Sequence, residues 1–122
     1  MKSLESSHSI SPDKWVILKI SHLDKMTIKI LSGWSGGYLY GSSWRLSSHI
    51  IKFTEDDKYF IVETDSGSLY TLNKTRIGFN TMSSDIYDSM INDFKNIKDA
   101  DCQLFDSIEL VQQVLTTLNN TI

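Results

Sequence analysis

The central part of the chain, from Ile50 to Leu72, alternates between apolar and polar side chains in three short runs. Such alternation is typical of antiparallel strands that have one buried face. Asp65-Ser66-Gly67 fits a three-residue hairpin loop closed by a left-handed glycine, and Asp56-Asp57 marks the turn before it. The buried face is predicted to carry Ile51, Phe53, Phe60, Val62, Tyr70 and Leu72.

Each of these two turns predicts a register of its own. The loop that ends at Gly67 would place Val62 opposite Tyr70, and the turn at Asp56 would place Ile51 opposite Val62. Both registers put Val62 on the same face. Because a slip of one residue would turn every side chain to the other face, this agreement favours one buried face and one wetter face.

Two earlier runs, Trp15–Ile20 and Met26–Leu31, also alternate and predict an opening hairpin. Residues 32–37 are rich in glycine and are predicted to form a loop, followed by a strand from Tyr38 to about Leu46. Gly41 inside that strand favours a bulge, which would change the face on which the following side chains lie.

Beyond residue 80 the apolar spacing changes from about 2 to about 3.6 residues, which predicts amphipathic helices at about 84–97 and 104–118. Ser83 and Ser84 are candidate N-caps of the first helix. The apolar stripes are Ile86, Met90, Phe94 and Ile97 in the first helix, and Ile108, Val111, Leu115 and Leu118 in the second.

Helices of this length are not stable alone in water, so they are expected to cover an apolar sheet face. The predicted fold is α+β, a curved antiparallel sheet of about five or six strands (a meander) followed by two C-terminal α-helices packed on one face. The sheet would span about 15–73. Residues 14–122 are predicted to form a single domain, with 1–13 as a loose N-terminal arm.

Charge and hydropathy narrow the choice of partner. The chain of 122 residues has a net charge of −3 and two arginines, Arg45 and Arg76, which are not clustered. Without a basic stripe, a nucleic-acid partner is not expected. No apolar run approaches the ~18 residues of a membrane span, so no membrane partner is expected. The excess of acidic side chains after residue 80 indicates either a solvated helix surface or a docking face for a basic partner.

The groups that could carry chemistry form no catalytic or metal-binding pattern. His8, His22 and His49 lack the spacing of a zinc site. Cys102 is the single cysteine, which excludes an intrachain disulfide and favours a small buried hydrophobe over a nucleophile. The carboxylates of residues 55–57 fit a solvated turn. No metal or cofactor is expected, and an enzyme is not favoured.

Aromatic side chains are the most informative remaining feature. They could line a concavity for a small apolar or cationic ligand, or form a hot-spot patch for a protein partner. The alternative is ordinary strand aromatics that pair across the sheet. Trp34, in the glycine-rich segment, is expected to be covered by its own fold or by a partner. The candidate ligand or interface residues are Trp34, Tyr38, Tyr40, Trp44, Tyr59 and Tyr70.

The segment Gly41–Ile50, with its tryptophan-containing strand, and the hairpin segment Ser66–Leu72 resemble parts of small bacterial single-domain accessory proteins. Proteins carried on mobile gene cassettes are among them. The resemblance covers about a third of the chain and implies a bacterial, cytoplasmic protein, but it transfers no functional residue.

These observations favour a non-enzymatic binding or protein-interaction module that self-associates, with a homodimer as the simplest form. One alternative is a small-molecule-binding or enzymatic α+β domain with a pocket between curved sheet and helices. Another is an immunity- or inhibitor-type protein that presents an acidic helix face to a basic partner.

Overall fold

The computed structural model describes residues 9–35 and 42–119, which form an α+β fold. The strands are β1 (Ser9–Ile10), β2 (Lys14–His22), β3 (Lys25–Ser35), β4 (Ser42–Leu46), β5 (Ile50–Glu55), β6 (Tyr59–Thr64), β7 (Leu69–Asn73) and β8 (Ala100–Phe105). The helices are α1 (Thr81–Phe94) and α2 (Ile108–Asn119), and a 3-10 turn (Lys74–Arg76) follows β7. The predicted class, an antiparallel meander followed by two C-terminal helices, is therefore confirmed.

The strands are divided between two four-stranded sheets. Sheet I has the order β1-β7-β6-β5, and sheet II has the order β4-β3-β2-β8. All neighbours are antiparallel except β1, which pairs parallel with β7 through Ser9 and Ile10. The proposed boundary between an N-terminal arm and a domain remains a prediction.

The two sheets face each other across the main core. Its members are Trp15, Ile17, Ile28 and Ile30 from sheet II, Ile50, Phe60, Val62, Tyr70 and Leu72 from sheet I, and Phe105, Val111, Val114 and Leu115 from β8 and α2. Helix α2 therefore contributes its apolar stripe to the space between the sheets. A second cluster around Val16, Leu18 and Leu31 lies on the other face of sheet II, where α1 covers it.

The hairpin of β2 and β3 is buried on both faces because it lies between sheet I and α1. Trp15 and Ile17 point into the main core, while Val16 and Leu18 point towards α1, and all four are fully buried. The predicted opening hairpin is thus confirmed. Its turn is short, and Leu23 adopts a left-handed conformation with φ of 57°.

In the meander, the predicted register between β6 and β7 is confirmed, since Val62 lies opposite Tyr70. The predicted register between β5 and β6 is wrong, because Phe53 lies opposite Val62 instead of Phe60. Asp56 explains the shift. Its Oδ1 accepts hydrogen bonds from the backbone N–H groups of Lys58 and Tyr59, both at 2.8 Å, which stabilises a longer turn than the sequence suggested.

The prediction that Ile51 is buried is also wrong, because the register of β5 is irregular between Ile50 and Lys52. The additional residue turns Ile50 into the core and leaves Ile51 46% exposed. Of the side chains predicted to be buried, Phe60, Val62, Tyr70 and Leu72 are buried and Phe53 packs partly buried against the core.

Helix α1 begins three residues before the predicted start. Asn80 is its N-cap, and a capping box forms because Asn80 Oδ1 accepts from Ser83 N–H while Ser83 Oγ accepts from Asn80 N–H. The chain then forms β8, which pairs with β2, in a segment where sequence alone indicated no strand. Helix α2 begins after Ser107, whose Oγ accepts from the N–H of Leu110.

Candidate functional site

The hairpin of β3 and β4 carries Trp44 on the surface of sheet II. Trp44 lies opposite Gly33, and Leu46, two residues further along β4, packs in the cluster that α1 covers. Because side chains two residues apart on a strand share a face, Trp44 faces the α1 side of the sheet. Its side chain is 43% exposed.

Gly33 allows the start of α1 to lie directly against this hairpin. A Cβ at position 33 would come within 2.6–2.7 Å of the Asn80 side chain, which is closer than atoms pack. Asn80 Nδ2 donates a hydrogen bond to the Trp34 carbonyl at 3.1 Å, so the N-cap also fixes the helix to the strand. Trp44 is therefore an exposed aromatic residue on a rigid support.

Trp34 lies on the other face of the same hairpin and is partly buried by its own chain. Its indole N–H donates to the carbonyl of Ser11 at 3.0 Å, and the next residue, Ser35, donates its backbone N–H to Asp13 Oδ2 at 2.9 Å. Trp34 belongs to β3, where sequence reasoning placed a loop.

The remaining aromatic candidates lie elsewhere. Tyr70 is 1% exposed in the core between the sheets, and Tyr59 is partly buried on the outer face of sheet I beside the turn at Asp56. Tyr38 and Tyr40 lie outside the described residues. The structure thus brings Trp34 and Trp44 to one hairpin, on opposite faces, and places Tyr59 and Tyr70 on the two faces of sheet I. Their role as ligand or interface residues remains a prediction.

Cys102 is half-buried on β8, beside a shallow depression of about 180 Å³ that Phe94 and Lys95 also line. Burial, together with the nearby carboxylate of Asp101, raises the pKa of the Cys102 thiol to about 11. A thiol that stays protonated at neutral pH is a poor nucleophile. The raised pKa therefore does not favour Cys102 as a nucleophile.

His49 and the acidic turn form hydrogen bonds within the fold, whereas His8 lies outside the described residues. His49 Nδ1 accepts a hydrogen bond from the N–H of Ile28 at 3.0 Å, and His22 is exposed at the end of β2. Hydrogen bonds from backbone N–H groups to Asp56 lower the pKa of its carboxyl group. Among residues 9–35 and 42–119, no three histidine, cysteine or carboxylate side chains are arranged to hold a metal ion.

Sequence reasoning missed a polar cluster that joins β5, the end of β7 and α2. The Lys74 ammonium donates to Glu55 Oε2 and to the Asp56 carbonyl, and Gln112 Nε2 donates to the same Glu55 oxygen. Lys74 Nζ also lies 4.8 Å from the centre of the Phe60 ring, a cation–π contact. Glu55 is 19 positions from Lys74 and 57 positions from Gln112 in the sequence, so no local pattern could have revealed the cluster.

No helix within the described residues is long and apolar enough to cross a membrane. Comparisons with protein-family models, with curated proteins and with solved structures found no match to this chain.

Proposed function

We propose that the protein is a non-enzymatic binding module that recognises a protein partner, in the simplest case a second copy of itself, through the surface around Trp44. The observation that carries this proposal is a tryptophan 43% exposed on a strand whose backbone is fixed by its neighbours. Tryptophan is enriched at the energetic centres of protein interfaces, because one rigid side chain buries a large area.

The position of Trp44 suits self-association. Among the described strands, β4 pairs with β3 alone, so it is an edge strand of sheet II. An edge strand presents unpaired N–H and C=O groups that can pair with a second copy about a two-fold axis. The same surface on each copy would then bury Trp44.

Light scattering coupled to size-exclusion chromatography tests this proposal. We expect a homodimer for the wild-type protein and a monomer for Trp44→Ser. The matched control is Leu23→Ser, because Leu23 is 69% exposed in the turn between β2 and β3, at the end of that hairpin away from Trp44. A monomeric wild-type protein at every concentration, or a dimer that Trp44→Ser leaves unchanged, would contradict the proposal.

A second candidate, an immunity- or inhibitor-type protein, is favoured by the acidic side chains after residue 80. Asp85 and Asp88 on α1 and Glu109 on α2 are exposed, as are the acidic residues between the helices. A basic partner held by these acidic side chains should dissociate as the salt concentration rises, because exposed charges are screened. Binding that does not change with salt would exclude this candidate.

A bacterial origin, a gene on a mobile cassette and a cytoplasmic location are further proposals, and they depend on the sequence resemblance. Detection of the native protein in cell fractions would test the location. A cytoplasmic binding module is consistent with one free cysteine.

A further inference from the structure

The backbone of β4 alternates between groups that bond to β3 and groups that point away from it. The phase of this alternation is fixed just after β4. There Ser47 donates its backbone N–H to the Ile30 carbonyl at 2.9 Å, and Ser47 Oγ accepts from the Ile30 N–H at 2.8 Å. Hydrogen-bonded and non-hydrogen-bonded positions alternate along an antiparallel pair. In the register of β3 and β4, Ser43 and Arg45 therefore bond to β3, whereas the N–H and C=O groups of Trp44 point outward.

The outward side of β4 is the open edge of sheet II. Ser42 and Leu46 lie two residues from Trp44 on either side, so their backbone groups point outward as well. Within the described residues, no second strand pairs with this side of β4. The edge therefore combines a row of backbone donors and acceptors that no described strand meets with the exposed side chain of Trp44.

The other sheet edges are less suited to accept a further strand. β5, an edge of sheet I, has an irregular register near its start, and its Lys52 side chain is 69% exposed. β1 has only two residues and is followed by Pro12. The exposed residues of β8 are polar, Asp101 and Gln103. Because lysines, bulges, prolines and short strands all discourage pairing, the regular strand β4 is the favoured edge.

We propose that two copies of the chain join their β4 strands in antiparallel pairing, with the two-fold axis at Trp44. This inference rests on the proposed function and specifies how the two copies meet. In this register Trp44 exchanges both backbone hydrogen bonds with Trp44 of the second copy, and Ser42 pairs with Leu46 of the second copy. One continuous sheet then runs from β8 of one copy to β8 of the other.

Charge and hydrogen bonding favour this register over its neighbours. An axis at Arg45 would place two guanidinium groups directly opposite each other, which is unfavourable. An axis at Ser43 would place Leu46 beyond the end of the second copy's β4, so its outward groups would lose their partners. With the axis at Trp44, Arg45 lies opposite Ser43 of the second copy. The two indole rings then lie side by side on the α1 face, where each covers part of the other.

Disulfide formation between two single variants tests the register. Residues 43 and 45 of different copies would form a non-hydrogen-bonded pair with Cα atoms about 4.5 Å apart, a distance that a disulfide spans. In a Cys102→Ser background, a mixture of the Ser43→Cys and Arg45→Cys proteins should form a covalent dimer under mild oxidation. Either variant alone should not, because its two cysteines would lie about 7–8 Å apart on the diagonal.

The outcomes separate this inference from the proposed function. A covalent dimer that forms as readily from either variant alone as from the mixture would show another register and would overturn the inference. A dimer in light scattering that forms no disulfide in the mixture would overturn the strand pairing but not the interface around Trp44. A monomeric wild-type protein would overturn both proposals and would leave β4 to a different protein partner.

A proline variant tests the backbone pairing while Trp44 is kept. Ser42→Pro removes an N–H that points away from β3, so the hydrogen bonds between β3 and β4 are retained. We expect a monomer in light scattering for Ser42→Pro and a dimer for the matched control Ser42→Ala. Circular dichroism checks that both variants fold, and the disulfide test does not depend on either of them. A folded Ser42→Pro protein that remains dimeric would overturn the inference.

Discussion

Polar side chains lie at two places beside the core between the sheets. The two places differ in whether these side chains form hydrogen bonds within the described protein. At one, which we call the closed cluster, Glu55, Lys74 and Gln112 bond to one another across β5, the end of β7 and α2. At the other, which we call the open cluster, Ser32 lies opposite Arg45, and within the described residues the Ser32 hydroxyl has no hydrogen-bond partner and Arg45 has no ion pair.

The two clusters lie in different sheets. Glu55 and Lys74 belong to sheet I and the turn that follows it, whereas Ser32 and Arg45 lie on β3 and β4 of sheet II. Among the described residues, one set of polar groups is therefore bonded within the protein and the other is not. The difference indicates that the closed cluster stabilises the fold and that the open cluster does not.

Removal of the Lys74 ammonium should have the largest effect. Lys74→Ala loses the bonds to Glu55 and to the Asp56 carbonyl and the contact with the Phe60 ring, and its side chain is only 16% exposed. We expect the free energy of unfolding to fall by about 2 kcal/mol, measured by urea denaturation. Lys58→Ala, at an exposed position, should change it by less than about 0.5 kcal/mol. Equal effects would show that the closed cluster does not stabilise the fold.

Acid should weaken the closed cluster. The hydrogen bond from Lys74 is the main cause that lowers the pKa of Glu55, against an opposing contribution from burial. A carboxyl group whose pKa is lower in the folded state contributes stability above its unfolded pKa and loses it as pH falls through the folded pKa. The difference in unfolding free energy between wild type and Glu55→Gln should therefore shrink below about pH 4.5. A difference that is constant from pH 7 to pH 3 would contradict this role.

Two buried serines, Ser32 on β3 and Ser47 just after β4, test the open cluster because their substitution should change stability in opposite directions. Ser32→Ala removes a hydroxyl that has no described partner and should raise the free energy of unfolding by about 1 kcal/mol. Ser47→Ala removes a hydroxyl that has two partners and should lower it by about 1 kcal/mol or more. Both effects are measured by urea denaturation. A loss of stability in both variants would show that Ser32 has a structural partner.

The sequence predicted those parts of the fold that local turns specify. Gly67, with φ of 91°, closes the loop after β6, and the register from Thr64 onward followed from it. The turn before β6 was misjudged because the side chain of Asp56 stabilises two more residues in it. Strand β8 was missed because its short run lies between two helical patterns and its stability comes from pairing with β2.

The candidate site was less accessible to sequence reasoning for the same physical reason. The sequence singled out Trp44 as a candidate ligand or interface residue, but the sheet face that it occupies depended on the pairing with Gly33. Ser32 is opposite Arg45 only because β3 and β4 pair in this register. Contacts of this kind follow from tertiary packing, which no pattern along the chain records.

The most direct test of the difference between the two clusters is a pair of double-mutant cycles measured by urea denaturation. The account predicts that the effects of Lys74→Ala and Glu55→Gln on the free energy of unfolding are coupled, because the two side chains bond to each other, and that the effects of Ser32→Ala and Arg45→Ala are additive. Additive effects in the closed cluster, or coupled effects in the open cluster, would contradict it.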